Sequence, residues 1–204
     1  MAARIILVRH GETDWNLERR IQGGSSNPPL NKRGREQAES LARKLEREDI
    51  QAIYSSPLQR GLDTAKTIAH CHQLEVLAEP SLKEIEAGEM EGVTLAGLDR
   101  RFSELLIKNS SDEIFPRVPG GESLPEVQQR SWGLVRRLAA KHPGGSLVLV
   151  THYFVILSII CSVLELPLSQ ISRLRLSTGS ISIFNLDSYE ARLELFNDTC
   201  YLTR

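Results

Sequence analysis

The sequence has few of the features that mark secreted proteins. Its 204 residues include only three cysteines, Cys71, Cys161 and Cys200, and no CxxC pair. A sparse, odd set of thiols favours a reducing cytosol over a disulfide-stabilised secreted scaffold. The first residues run into charge without the apolar core and small-residue cleavage site of a signal peptide, so we expect a cytoplasmic protein.

An excess of charge of one sign is also missing. Lys and Arg number 25 and Asp and Glu number 26, which gives a formal net charge of −1. This balance offers no general attraction for nucleic acid or anionic lipid, so we expect neither as a partner. Any anionic ligand must therefore be bound by a local group of side chains.

Apolar runs long enough to cross a bilayer are absent as well. The run that tests this, Tyr153 to Leu164, stops at Glu165 after 12 residues, whereas a membrane span needs about 20. We therefore expect a buried helix here and no membrane association.

Short apolar runs rich in branched residues are present, and they alternate with stretches of helical periodicity. Strands are predicted at Ile5–Val8, Ala52–Tyr54, Leu147–Val150, Arg173–Leu176, Ser180–Asn185 and Arg192–Phe196. Strands and helices that alternate in this way are typical of a mostly parallel sheet with helices on both faces. The predicted fold class is therefore a three-layer α/β/α sandwich.

The chain length fits one domain over residues 1–204. The periodic pattern weakens between about 79 and 121, where we expect an excursion that caps the sheet, with a helix at Leu95–Ile107. Arg100, Arg101 and Arg117 in this excursion are candidates for contact with a second anionic group on a substrate.

Several helix starts can be read from their capping residues. Asn31 is predicted to cap one helix, and Ser123 with Glu126 forms a capping box for another. Ser55, Ser56 and Pro57 are predicted to cap and open a third helix. That helix would carry Arg60 off its buried stripe, on the solvent side of the strand ends.

Two predicted strands end in the same way, IILVRH in His10 and LVLVTH in His152. Parallel central strands bring such residues to the carboxyl edge of the sheet, where open α/β folds bind ligands. Arg9 and Arg60 are expected at the same edge. Guanidinium groups bind the oxygens of a phosphoryl group bidentately, and a neutral histidine nitrogen can attack phosphorus.

Six segments strengthen this interpretation. LVRHGETDWN, IQG, NKRGREQA, YSSPLQRGLDTA, LKEIEAGEMEG and VTHYFVI follow one another in this order. Together they resemble the histidine phosphatase superfamily, in its phosphoglycerate mutase-like branch, over nearly the whole chain. The resemblance implies a phosphoglycerate mutase-like fold and a reaction that uses neither a metal nor a cofactor.

The resemblance also implies a role for each site residue. His10 is the nucleophile that becomes phosphorylated, while Arg9, Arg60 and His152 hold the phosphoryl oxygens. Glu84 donates a proton to the leaving oxygen and later serves as the base for water, for which a raised pKa is expected. The positions that line phosphate and substrate in the family are matched by Asn16, Gln22 and Gly23.

Some positions depart from the family pattern. Tyr153 follows the second histidine where many relatives have glycine, and with Phe154 it is expected to narrow the mouth of the site. Met90 stands in place of a common tryptophan, and Asn27 in place of a common aspartate. Neither of these two changes is expected to touch the chemistry.

The predicted function is a phosphomonoesterase that acts on a small phosphorylated metabolite and releases inorganic phosphate. A cofactor-dependent phosphoglycerate mutase is one alternative, disfavoured because the excursion is short. A non-catalytic phosphate-binding module is another, disfavoured because the full residue set is present. A metal site on His10 and Glu12 is disfavoured because no HxH or HExxH pattern accompanies it. No functional role is predicted for His70, His72 and His142. A homodimer is a possible assembly that the sequence neither favours nor excludes.

Overall fold

A six-stranded sheet forms the centre of the protein in the computed structural model, which describes residues 1–94, 117, 119–188 and 190–202. Its strands are β1 (Ala3–Arg9), β2 (Ala52–Ser55), β3 (Val76–Ala78), β4 (Ser146–Thr151), β5 (Ile181–Leu186) and β6 (Ala191–Asp198). They lie in the order β3-β2-β4-β1-β5-β6. The first four of this order are parallel, and β5 and β6 continue the sheet in antiparallel pairing. The prediction of a mostly parallel sheet is confirmed.

Helices cover both faces of this sheet. They are α1 (Asp14–Leu17), α2 (Lys32–Leu45), α3 (Gln59–His72), α4 (Leu124–Lys141) and α5 (Tyr153–Val163). Short 3-10 helices lie at Pro80–Leu82, Gly88–Met90 and Leu168–Arg173. None of the helices within the described ranges has both the length and the apolarity to cross a membrane.

Alternation along β1 divides the core into two layers. Ile6 and Val8 face the helices α2 and α3, whereas Ile5 and Leu7 face α4 and α5. All four side chains are fully buried, and each contributes about 1.5–3 kcal/mol through loss of apolar surface from water. A strand that is apolar on both faces belongs in the middle of a sandwich, and the predicted three-layer class is confirmed.

Most predicted elements are found, with two errors among the strands. No strand forms at 173–176, because Leu174 and Leu176 alternate towards the core without pairing to the sheet. The edge strand β3 was not predicted, because it has only three residues and two of them are exposed. The predicted helix at Leu95–Ile107, with Arg100 and Arg101, lies outside the described residues.

The predicted caps also have mixed outcomes. Asn31 accepts a hydrogen bond from Gly34 N, and Ser123 with Glu126 forms the predicted capping box. The start of α3 was predicted wrongly, because its N-cap is Leu58 and no side chain of its own segment caps it. Instead the Asn27 Oδ1 accepts a hydrogen bond of 2.7 Å from the N–H of Gln59. The unusual residue at position 27 therefore caps the helix that carries Arg60.

Candidate active site

The two histidines meet at the carboxyl ends of neighbouring strands. In the parallel pair β1 and β4, Arg9 lies opposite Thr151, so the next residue of each strand is a histidine. The ring centroids of His10 and His152 are 5.0 Å apart, with 55° between the planes. Both rings are buried. The predicted convergence of these two side chains is present in the structure.

His10 is held as a neutral imidazole with a defined tautomer. Its Nδ1 lies 2.7 Å from the backbone oxygen of Gly11, which can only accept, so Nδ1 carries the proton. The lone pair is then on Nε2. Burial, followed by the charges of Arg60 and Arg9, holds the pKa of His10 well below its ordinary value of 6.5. The ring is therefore an uncharged nucleophile at neutral pH.

The peptide of Gly11, which orients His10, is itself fixed. Its N–H donates to Thr64 Oγ1 at 3.1 Å, and the Thr64 hydroxyl donates to Arg60 O at 2.8 Å. A Cβ on Gly11 would lie 2.3 Å from Gly34 O. Only glycine fits at this close approach between the loop and α2. In the RHG sequence, the glycine is therefore required by steric fit, whereas the arginine and the histidine serve the chemistry.

Arg60 lies inside the protein, contrary to the predicted position on the solvent side. Its side chain is fully buried, because α3 directs it across the strand ends towards the loop at 23–26. Its two terminal nitrogens donate to Ser26 O at 2.9 Å and to Gly23 O at 3.1 Å. Burial lowers its pKa to about 10, against the raising effect of Glu84, so the guanidinium stays charged at neutral pH.

Arg9 enters the cluster from the end of β1. Its Nη1 donates to Leu176 O at 2.6 Å, and its guanidinium carbon lies 5.0 Å from the ring centre of Tyr153. Burial lowers its pKa to about 10, while Glu84 and Tyr153 act in the opposite direction. Tyr153, which departs from the family pattern, thus supports a guanidinium group of the site through a cation–π contact.

His152 is the second neutral ring of the cluster. Its Nε2 lies 2.7 Å from Ser56 Oγ. Burial, together with Arg60 and the other nearby cations, holds its pKa well below 6.5. Ser56 is a site residue that the sequence does not predict, because the SSP pattern indicates only a helix start. The serine hydroxyl orients the imidazole instead.

Glu84 lies buried beside the start of α5. Its Oε1 accepts the N–H of Ile85 at 2.9 Å, and its Oε2 accepts the N–H of Phe154 at 3.3 Å. These bonds and the two arginines favour the carboxylate, yet burial outweighs them and raises the pKa of Glu84 above its usual 4.5. A buried carboxyl with a raised pKa can hold and deliver a proton closer to neutral pH.

The three predicted lining residues differ in what they contact. Asn16 Oδ1 accepts the N–H of Thr13, so Asn16 completes the capping box of α1. Gly23 contributes the carbonyl that holds Arg60. Gln22 accepts a hydrogen bond of 2.9 Å from the Thr13 hydroxyl through Oε1. None of the three was predicted with these partners.

Several buried nitrogens of this cluster have no hydrogen-bond partner among the described residues: Arg9 Nε, Arg60 Nε, His152 Nδ1 and Gln22 Nε2. Buried polar groups are normally paired. Donors of this kind around a neutral imidazole suit a phosphoryl group, whose oxygens accept hydrogen bonds.

Two weaker predictions can also be placed. Arg117 is exposed and pairs with Glu126 at 2.8 Å, so its contact is with the start of α4. Glu12 accepts a hydrogen bond of 3.0 Å from Asn31. It was the second ligand in the disfavoured metal site with His10. Within the described part of the chain, no three His, Cys, Asp or Glu residues are grouped to hold a metal ion.

Comparison with known proteins identifies the family. Residues 5–199 match the model of the histidine phosphatase superfamily, branch 1. The chain is 32% identical to phosphoserine phosphatase 1 of Hydrogenobacter thermophilus, over 98% of this chain and 94% of that protein. It is 41% identical to phosphoglycerate mutase-like protein 4 of Arabidopsis thaliana, over 77% of this chain and 69% of that protein.

A solved structure agrees with these matches. The phosphoserine phosphatase of Entamoeba histolytica, crystallised with 3-phosphoglyceric acid, superposes with a TM-score of 0.87 at 30% identity, covering 98% of this chain and 100% of that one. The chain therefore belongs to branch 1 of the histidine phosphatase superfamily, and it is a phosphatase of that family.

Proposed function

We propose that the protein hydrolyses small phosphate monoesters through a phosphohistidine formed on His10. One observation is the main support for this proposal. A neutral imidazole with its lone pair on Nε2 lies in one buried cluster with two guanidinium groups and a carboxyl of raised pKa. That set contains a nucleophile, charge stabilisation and a proton donor.

The first step transfers the phosphoryl group to the protein. His10 Nε2 attacks phosphorus while the bond to the ester oxygen breaks, and the protonated Glu84 carboxyl gives its proton to the departing oxygen. Arg9 and Arg60 stabilise the negative charge on the phosphoryl oxygens, which is the main electrostatic contribution in phosphoryl transfer. An alcohol leaves, and His10 carries the phosphoryl group on nitrogen.

The second step returns the enzyme to its starting state. Glu84, now ionised, takes a proton from water as the water oxygen attacks phosphorus, and the bond to His10 Nε2 breaks. Inorganic phosphate leaves. The hydrogen bond from His10 Nδ1 to Gly11 O keeps the ring in one orientation through both steps.

The names of the similar proteins support a proposal for the substrate. Two of them are named phosphoserine phosphatases, and we propose phosphoserine, or another phosphorylated metabolite of that size, as the substrate. The relative named phosphoglycerate mutase-like supports a mutase as the second candidate. A mutase must return the phosphoryl group to the bound sugar acid before water attacks.

One assay separates the two activities. Purified protein is incubated with O-phosphoserine, 3-phosphoglycerate and a panel of small phosphate esters, with and without EDTA, and both inorganic phosphate and 2-phosphoglycerate are measured. We expect phosphate release that EDTA leaves unchanged. Isomerisation of 3-phosphoglycerate without phosphate release would establish the mutase instead, and loss of activity with EDTA would contradict the proposed mechanism.

The remaining properties are also proposals. We propose one domain over 1–204 with a capping excursion at about 79–121, acting in the cytoplasm without nucleic acid. The six-stranded sheet of the described residues supports the single domain, and the net charge of −1 supports the absence of a nucleic-acid partner. The sparse cysteines support the cytoplasm. Whether it forms a homodimer is tested by light scattering of the full chain.

A further inference from the structure

Arg130 of α4 contacts the backbone of the segment that carries Glu84. Its Nη1 donates to Ser81 O at 2.7 Å, and its Nη2 donates to Glu84 O at 3.3 Å. One guanidinium group therefore binds the carbonyl of Glu84 and a carbonyl three residues before it. Its side chain is only 22% exposed, so these bonds are largely shielded from water.

Glu122 fixes the other side of the same guanidinium. Its two carboxylate oxygens accept from Arg130 Nε at 2.7 Å and from Nη2 at 3.0 Å. The backbone N–H of Glu122 also donates to Glu86 O at 2.8 Å. The pair thus holds the backbone both at Glu84 and two residues after it.

The other backbone contacts of this segment lie on either side of Glu84. Leu82 O accepts a hydrogen bond of 2.6 Å from the Thr151 hydroxyl, and Ile85 O accepts one of 2.8 Å from the N–H of Gly24. The fork of Arg130 adds a contact at the carbonyl of Glu84 itself.

The regular structure of this segment consists of two short 3-10 helices, Pro80–Leu82 and Gly88–Met90, with no strand between them. The carboxyl of Glu84 must stay within hydrogen-bond reach of the leaving oxygen, and a displacement of about 1 Å can cost on the order of 100-fold in rate. A fork that holds the Glu84 carbonyl limits such displacement.

We propose that Arg130, oriented by Glu122, is a positioning residue for proton donation by Glu84. The inference rests on the proposed function, since it concerns the proton donor of that reaction. Within the described residues Arg130 makes no hydrogen bond to Arg9, His10, Arg60 or His152, although its charge helps to lower the pKa of His152. Arg130→Lys keeps that charge, so a loss that persists in this variant is transmitted through the backbone of Glu84. Loss of the fork should therefore affect chiefly the steps that need the proton of Glu84.

Two aryl phosphates of nearly equal size test this. The p-nitrophenolate group leaves readily without a proton, whereas p-methylphenolate leaves poorly and needs one. Values of kcat/KM for both esters are measured for the wild type, Arg130→Gln, Arg130→Lys and Glu122→Gln. Arg136→Gln, an exposed position on the same helix, is the matched control, and Glu84→Gln defines the full loss of proton donation.

We expect Arg130→Gln to lower kcat/KM about 100-fold for p-methylphenyl phosphate and less than about 3-fold for p-nitrophenyl phosphate. Glu122→Gln should show the same selectivity with a smaller loss. Arg130→Lys should recover part of the activity, because one ammonium cannot reproduce the fork. Arg136→Gln should match the wild type.

The outcomes distinguish this inference from the proposed function. An equal loss on both esters in Arg130→Gln and Arg130→Lys, or no loss on either, overturns the positioning role. If Glu84→Gln itself shows no difference between the esters, the assignment of Glu84 as proton donor fails. Thermal unfolding of each variant shows whether an equal loss reflects an unfolded protein.

Discussion

The imidazole rings of His10 and His152 lie 5.0 Å apart although the residues are far apart in the chain. Their meeting follows from the parallel register of β1 and β4. Burial lowers the pKa of each ring, and Arg60 and Arg9 lower both further. Two neutral rings can face each other without repulsion, which is consistent with the proposed role of His10 as the nucleophile.

The first prediction concerns the covalent intermediate. His10→Ala should lower phosphate release on the order of 1000-fold or more, because the nucleophile is removed and water must attack directly. Brief reaction of the wild type with ³²P-labelled substrate, quenched in alkali, should leave label on the protein. Labelling of His10→Ala to the same extent would place the phosphoryl group on another residue.

Much of the fold and of the site could be predicted from the sequence. The apolar runs of β1 and β4 predict two central strands. The histidine that follows each run predicts that His10 and His152 meet. These signals are local and strong. The edge strand β3 has no comparable signal, because two of its three residues are exposed.

Contacts between distant segments could not be predicted in this way. The SSP sequence predicts a helix cap at Ser56, yet its hydroxyl lies 2.7 Å from His152 Nε2. The helix α3 is capped by Asn27 from another loop. The periodicity of α3 predicts Arg60 on the solvent side, because nothing in its own helix gives a reason to bury it. The carbonyls of Ser26 and Gly23 supply that reason, and they come from a segment whose position no local pattern reveals.

The second prediction concerns pH. The nucleophile must be neutral, and the pKa of His10 lies below 6.5, so kcat/KM should rise with pH on an acid limb below that value. The proton donor must be protonated, and the pKa of Glu84 lies above its usual 4.5. As the pH rises through the pKa of Glu84, the donor loses its proton and kcat/KM should fall, which gives an alkaline limb.

Values of kcat/KM for p-methylphenyl phosphate across pH measure both limbs. Glu84→Gln should retain the acid limb and lose the alkaline one, with kcat/KM lower by about 100-fold or more. An alkaline limb that persists unchanged in Glu84→Gln would belong to a different group.

The third prediction compares two helical glycines that differ in what surrounds them. A Cβ on Gly34 of α2 would lie 2.0 Å from Glu12 O, whereas one on Gly133 of α4 would meet only the end of the Arg137 side chain, at 3.6 Å. Gly34→Ala should therefore lower the free energy of unfolding by about 1–3 kcal/mol, because backbone must move. Gly133→Ala should raise it by about 0.5–1 kcal/mol through helix propensity alone.

Urea unfolding of both variants measures these changes, and phosphate release measures their effect on the site. Since Gly34 packs against the backbone at Gly11 and Glu12, Gly34→Ala should also displace the peptide that orients His10 and lower kcat. Gly133→Ala lies far from that peptide in the opposite helical layer and should leave kcat unchanged. If the two substitutions shift stability in the same direction, the close approach of α2 to the RHG loop is not what selects glycine at position 34.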